Sequence, residues 1–282
     1  MIQLIGFSII HPQPDDKMGL SEIMEMREVK EGRRLALYTV SSNSDMHLFF
    51  IHGAGGRADQ WKNQIDHFKD EYQITTFDLL GHGRSPKPKE GYGFNALLAD
   101  AAAVFERYKG RENIIIGHSY GVALALHLAA LKPNDIQKLV LIGANIPRPA
   151  SGTGIWKLPA FVLEWIRPIF SNGFVKGAFH SETSQEFIKK EQSISDKNPM
   201  FMMKRLINGM KEVPDLNLRS IDISTLVING EADGLTPVSG AKELVALLPN
   251  AELIVVEKAS HLVMMEQPEM VNEIIRNFIT HK

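Results

Sequence analysis

The stretch Ile114-Ile115-Ile116-Gly117-His118-Ser119-Tyr120-Gly121-Val122-Ala123-Leu124-Ala125 decides how the rest of the chain is read. Its first part, from Asn113 to Ile116, is a short β-branched run, the pattern of a buried strand. Gly117 to Gly121 has the form Gly-x-Ser-x-Gly, and residues 120–131 are rich in Ala and Leu, which favour helix. The pentapeptide alone occurs by chance in glycine-rich loops. Wedged between a strand and a helix it is specific, because the tight turn lifts the serine hydroxyl above the carboxyl edge of a parallel sheet. The helix that follows offers an N–H and a partial positive charge to a developing oxyanion. A Cβ at position 117 or 121 would strike the adjacent strand or helix, so both positions call for glycine.

Upstream, residues 22–29 and 33–40 read as a hairpin around Lys30-Glu31-Gly32. Residues 47–51 are a dense apolar strand that ends in His52-Gly53-Ala54-Gly55-Gly56. Residues 57–68 read as a helix, 73–77 as a strand running into Asp78-Leu79-Leu80-Gly81-His82-Gly83-Arg84-Ser85, and 94–108 as an amphipathic helix. Downstream, 138–142, 224–228 and 252–256 are strands, and 237–248 and 268–279 are helices. This alternation predicts an α/β fold, a mostly parallel sheet with helices on both faces joined by right-handed crossovers. The pattern breaks between Ile146 and Leu218, where aromatics, prolines and helical patches occur without a strand. Residues 146–218 are therefore expected to form a helical cap inserted in a core made of residues 21–145 and 219–282. The insertion leaves from the carboxyl end of a strand, the edge where ligands bind in open α/β sheets, and should lie over Ser119. Trp156, Phe161, Val162, Trp165, Ile166, Ile169, Phe170 and Phe174 would form its apolar underside. Residues 1–20, with the loose stretch from His11 to Asp16, are expected to be a peripheral arm.

Composition narrows the chemistry. Hydrophobic residues make up 44% of the 282, ample for a core, and the formal net charge of −2 argues against nucleic acid as a partner. With no cysteine, disulfides, thiol catalysis and thiolate metal sites are excluded. The histidines are dispersed, so no metal site is expected, and no dinucleotide or phosphate-loop fingerprint suggests a cofactor. No membrane-spanning run or signal peptide is apparent, so a cytoplasmic location without membrane contact is expected. The pattern leaves the oligomeric state open.

A serine hydroxyl needs a base, and the base needs an orienting group. Two later loops follow strands at the same sheet edge. One is Gly230-Glu231-Ala232-Asp233 and the other Ala259-Ser260-His261. Their chain order, Ser119, Asp233, His261, suits this architecture. Glu231 competes with Asp233 as the acid. The loop after the preceding strand is an alternative location, but Asn145 stands there and carries no charge. The oxyanion donors are expected to be the N–H groups of Tyr120 and Ala54, with Gly55 as the alternative to Ala54. His52, Gly53, Gly55 and Leu262, with Trp156, Phe161 and Trp165 from the insertion, are expected to border a pocket for a small-molecule acyl substrate. His118 should point away from the serine hydroxyl, and Asp78, Arg84 and Ser85 should knit their own loop together.

On these residues the chain resembles the α/β-hydrolase superfamily. His52-Gly53, the Asp78-to-Ser85 loop, Gly117-His118-Ser119-Tyr120-Gly121, Gly230 to Asp233 and Ser260-His261 fall where that family carries its motifs, from about Glu22 to the C-terminus. The segments 48–56, 116–122 and 260–266 look like the abhydrolase-domain-containing protein 8 branch. The resemblance implies a cofactor-independent hydrolase in which Ser119 attacks an acyl carbonyl, His261 shuttles the proton and Asp233 fixes its tautomer. Relatives with an aspartate nucleophile, such as epoxide hydrolases, are disfavoured because serine fills that position. Fold does not dictate substrate, and carboxylic esters lead over thioesters, lactones and carbon–carbon bonds. A ligand-binding protein on the same fold is the alternative of a different class.

Overall fold

A computed structural model describes residues 2–5, 20–149 and 154–281. The strands are β1 (Ile2–Ile5), β2 (Glu25–Lys30), β3 (Arg33–Val40), β4 (Met46–Ile51), β5 (Gln73–Phe77), β6 (Glu112–His118), β7 (Lys138–Ile142), β8 (Ser224–Gly230) and β9 (Ala251–Val256). Among the described residues they form one sheet in the order β1-β9-β8-β7-β6-β4-β5-β3-β2. The β2–β3 and β3–β5 pairs are antiparallel, and every other pair is parallel. The helices are α1 (Leu20–Ile23), α2 (Lys62–Phe68), α3 (Phe94–Tyr108), α4 (Tyr120–Leu131), α5 (Ala160–Trp165), α6 (Arg167–Ala178), α7 (Gln185–Ser195), α8 (Met200–Gly209), α9 (Val238–Leu247), α10 (Val263–Glu266) and α11 (Pro268–Thr280).

The middles of the central strands are apolar at successive positions because both faces are covered. Leu48, Phe50, Ile114, Ile116, Val140, Ile142, Leu226 and Ile228 pack on one face with Trp61, Ile65, Phe68 and Ile275. The alternate residues Phe49, Ile51, Ile115, Leu139, Leu141 and Val227 pack on the other with Leu97, Phe105, Leu124 and Leu128. The β2–β3 turn is closed by Gly32 at φ +67°, a value that costs a side-chain-bearing residue energy.

At the other end, the structure corrects the sequence reading. Ile2–Ile5, expected in a peripheral arm, runs parallel to β9 with Ile2 opposite Leu253 and Ile5 opposite Val256. The strand pairs with backbone groups that would otherwise lie open along the β9 edge. The stretch from His11 to Asp16 lies outside the described residues.

Between β7 and β8 the chain makes α5 to α8 and no strand among the described residues. This helical insertion touches three loops at the carboxyl ends of the strands. Arg57, just past β4, forms a two-pronged ion pair with Glu191 on α7, at 3.0 Å for each contact. Asn198 Nδ2 donates to the carbonyl of Gly55 (2.8 Å). At the end of α6, the carbonyl of Gly177 accepts from the N–H of Gly234 (3.0 Å) and from Ser260 Oγ (3.0 Å), and the carbonyl of Ala178 accepts from the N–H of Leu262 (3.3 Å). Gly177 and Gly234 approach so closely that a Cβ on Gly234 would lie 2.9 Å from the Gly177 Cα.

Candidate active site

Ser119 sits between β6 and α4 at φ 52°, ψ −116°, in a region that side-chain-bearing residues rarely adopt. Its N–H donates to the carbonyl of Ile142 (2.9 Å), which fixes the turn to β7. The crowding expected around it is present. A Cβ on Gly117 would lie 2.6 Å from the Gly121 carbonyl oxygen, one on Gly121 would lie 2.3 Å from that of Ile51, and one on Gly53 would lie 2.9 Å from Ser119 Cβ. These close approaches press the β4 loop against the serine.

Asp233 and His261 meet on neighbouring loops, with Oδ2 2.9 Å from Nδ1 and both residues buried. Asp233 Oδ1 accepts the N–H groups of Leu235 (2.9 Å) and Thr236 (2.8 Å). Thr236 Oγ1 donates to Oδ2 at 2.7 Å and lies 3.0 Å from His261 Nδ1. Burial alone would raise the Asp233 pKa, but the hydrogen bond from His261, the charge of that ring and the Thr236 bonds hold it below the usual carboxylate range. Glu231, the competing acid, is exposed and accepts the N–H of Lys258. Asn145 accepts the N–H of Ile146 and packs against Gly240.

His118 points away from the candidate nucleophile into a tie of its own. Its Nε2–H donates to the backbone carbonyl of His261 (2.9 Å), and the two rings lie 4.7 Å apart. Gly143, at φ +55°, lies against the other side of this pair, where a Cβ would be 3.1 Å from His261 Nδ1. The serine turn and the histidine loop are therefore joined through residue 118. Sequence reasoning missed both Thr236 and His118 as partners of His261. Thr236 carried a local signal, since Asp233-Gly234-Leu235-Thr236 has the form of a side-chain-capped turn. His118 carried none, because its partner is a backbone atom distant in the chain.

A second pair of histidines braces the β4 loop. His52 Nδ1–H donates to the carbonyl of Gly53 while its Nε2 accepts the N–H of Leu79 (3.0 Å). His82 Nδ1–H donates to the carbonyl of Leu80 while its Nε2 accepts the N–H of Gly55 (3.0 Å). Each histidine thus serves the other's loop. The Gly55 N–H, expected as the alternative oxyanion donor, is already committed to His82. Among the described residues no hydrogen bond ends on the N–H of Ala54 or of Tyr120. Asp78 accepts the N–H groups of Ala58 and Arg84 (2.8 Å each), and Ser85 Oγ donates to the Asp78 carbonyl.

The insertion contradicts one expectation about the pocket. Phe161 and Trp165 point into solvent, 76% and 84% exposed, and Trp156 stacks on Phe170 with ring centroids 5.3 Å apart. On α5 the fully buried Leu163 takes the inward face, and residues two positions away on a helix point the other way. Met203 and Ser195 stand over the β4 loop instead, 3.6 Å and 3.9 Å from where a Cβ on Gly55 would lie. Leu262 is buried in the apolar group that holds Ala178 and Phe179. A cleft of about 490 Å³ opens beside Tyr92, Phe201, Lys204, Arg205 and Glu212, and none of Ser119, Asp233 and His261 lines it. No group of three or more His, Asp or Glu side chains converges as a metal site among the described residues.

A model of the alpha/beta hydrolase family matches residues 48–274. The chain belongs to that family. It is also 31% identical over 249 residues to protein ABHD8 of Mus musculus, covering 84% of this chain, though only 56% of that relative. The chain therefore spans little more than half the length of the ABHD8 relatives that it matches. It is 26% identical over 310 residues to epoxide hydrolase 1 of Caenorhabditis elegans, covering 97% of this chain and 75% of that one. Among solved structures it resembles a thermophilic esterase with 25% identity and a TM-score of 0.75, covering 91% and 96% of the two chains.

The buried histidines give this fold a specific acid response. Burial lowers the pKa of His47 and His52 to about 4, and of His82 and His118 to about 3, the last two helped by the charges of His52 and His261. An unfolded histidine titrates near ~6.5. Between the two values the unfolded chain binds more protons than the native one, so stability falls as pH falls. Four such groups give a ceiling of about 5 kcal/mol lost per pH unit below about 6. Asp78, whose pKa burial raises, opposes this trend. Urea midpoints should therefore drop steeply between about pH 6.5 and about pH 5, whereas a flat profile would show these rings to be protonated in the fold.

Proposed function

We propose that this hydrolase cleaves carboxylic esters of small or medium acyl chain through an acyl-enzyme on Ser119. The observation that carries the reading is the 2.9 Å bond between Asp233 Oδ2 and His261 Nδ1, on a loop tied to the turn of Ser119. In this scheme His261 Nδ1–H stays on Asp233, which leaves Nε2 unprotonated and able to take the Ser119 proton. Ser119 Oγ attacks the carbonyl carbon, and the new oxyanion accepts the N–H groups of Ala54 and Tyr120. Collapse expels the alcohol, which takes the proton back from His261. Water then attacks the acyl-enzyme, with His261 again as base, and the acid leaves. No cofactor enters any step. The insertion, residues 146–218, acts as a cap in which Asn198, from the α7–α8 turn, and Met203, from α8, roof the β4 loop.

The esterase similarity supports an ester as substrate, and serine at position 119 separates this reading from hydrolases that use a carboxylate nucleophile. The test is turnover of p-nitrophenyl esters across a chain-length series. The reading expects an initial burst of p-nitrophenol stoichiometric with enzyme, followed by steady hydrolysis. Thermal stabilisation by the esters without product release would instead support a ligand-binding role.

A further inference from the structure

The outer face of the insertion holds a feature that ester hydrolysis does not explain. Phe161, Trp165 and Ile169 follow one another at four-residue spacing along α5 and α6, and are 76%, 84% and 72% exposed. Ile155, Leu158 and Phe174 are also exposed on the same part of the chain. Elsewhere among the described residues the exposed large apolar side chains are Ile23, Leu131 and Leu235. Single exposed apolar residues need no explanation, but a continuous row of the largest ones does.

Charge says what the row fits. From Gly154 to Ala178 the chain carries Lys157, Arg167 and Lys176 against one carboxylate, Glu164. That carboxylate is spent locally: Oε1 accepts from Arg167 and Oε2 accepts the N–H of Met200. Lys157 and Lys176 are exposed, at either end of the row, and Lys204 reaches the same turn to donate to the carbonyls of Lys157 and Leu158. Lysines beside an apolar patch disfavour a protein partner, since lysine is depleted from protein–protein interfaces. Lysine flanks and exposed aromatic and aliphatic side chains at helical spacing together match a helix lying in the headgroup region of an anionic bilayer.

We propose that the α5–α6 face docks this protein on anionic lipid surfaces, with Phe161, Trp165 and Ile169 entering the acyl boundary and Lys157 and Lys176 contacting headgroups. This departs from the expectation of no membrane contact, which rested on the lack of a membrane-spanning run and on placing the aromatics of the insertion over the core. It concerns peripheral docking only: among the described residues no helix is long and apolar enough to cross a membrane. The inference stands independently of the ester-hydrolase reading, because none of its residues belongs to the Ser119 site.

The test is co-sedimentation of the full chain with vesicles of phosphatidylcholine alone and with about one-third phosphatidylserine. The wild type is expected to sediment with the anionic vesicles, less so in high salt, with tryptophan emission shifting to shorter wavelength. The variant Phe161→Ser/Trp165→Ser/Ile169→Ser should bind on the order of a hundredfold more weakly, with its urea midpoint unchanged because all three residues are exposed. Trp165→Ser alone, expected to lose about tenfold, carries the test if the triple variant folds poorly. Lys157→Glu/Lys176→Glu should abolish the preference for phosphatidylserine while leaving esterase turnover in solution intact. Wild type that stays in the supernatant, or serine variants that sediment as well as wild type, would overturn the proposal. A wild-type dimer in analytical ultracentrifugation that the triple variant dissolves, without vesicle binding, would assign the face to a second copy and overturn it as well.

Discussion

Alanine at position 119 is expected to lower turnover of a p-nitrophenyl ester by about five to six orders of magnitude, the loss seen when a serine-hydrolase nucleophile is removed. The residual rate should come from ester held beside the N–H groups of Ala54 and Tyr120 and hydrolysed by water. The fold should survive, because the serine hydroxyl makes no hydrogen bond on which the turn depends. The turn is held by backbone, through the Ser119 N–H on Ile142 and the Val122 N–H on the Ser119 carbonyl. Urea unfolding of this variant should stay within about 1 kcal/mol of wild type, and a measured kcat within tenfold of wild type would contradict the assigned role.

Asparagine at position 233 should cost about four orders of magnitude in kcat with little change in KM. The amide oxygen can still accept the N–H groups of Leu235 and Thr236, so the turn keeps its shape. The amide nitrogen then stands where Oδ2 stood and donates to His261 Nδ1. That ring must carry its proton on Nε2, where it can no longer accept one from Ser119. Thr236 Oγ1, now facing a donor in place of Oδ2, loses its acceptor as well. Because the defect is a wrong tautomer, the residual rate should rise with hydroxide. A loss below tenfold would point to Glu231 or another acid and would remove the reading of Asp233 as the orienting group.

Much of the architecture is legible before any coordinates. Both faces of β4, β6 and β7 are buried, so each carries an unbroken apolar run of three or four residues, 48–51, 114–116 and 139–142. Ser119, Asp233 and His261 each follow a strand, and parallel strands bring such loops to one edge. What the sequence conceals depends on packing between distant segments. The aromatics of α5 and α6 are periodic, but periodicity does not say which side meets the core. The buried Leu163 decides it, and sends Phe161 and Trp165 outward. Likewise the sharing of Gly55 between His82 and Asn198 joins three segments that no local pattern connects. The strand Ile2–Ile5 reads as a loose arm because its partner, β9, lies about 250 residues away along the chain.

The most direct test of the central claim is the intact mass of the protein after exposure to a fluorophosphonate, with the modified peptide then mapped. The account predicts one adduct per chain, on Ser119, formed rapidly by wild type and by Lys157→Glu/Lys176→Glu, and far more slowly by Asp233→Asn. Folded wild-type protein that acquires no adduct, or one whose adduct maps to a different serine, would contradict it.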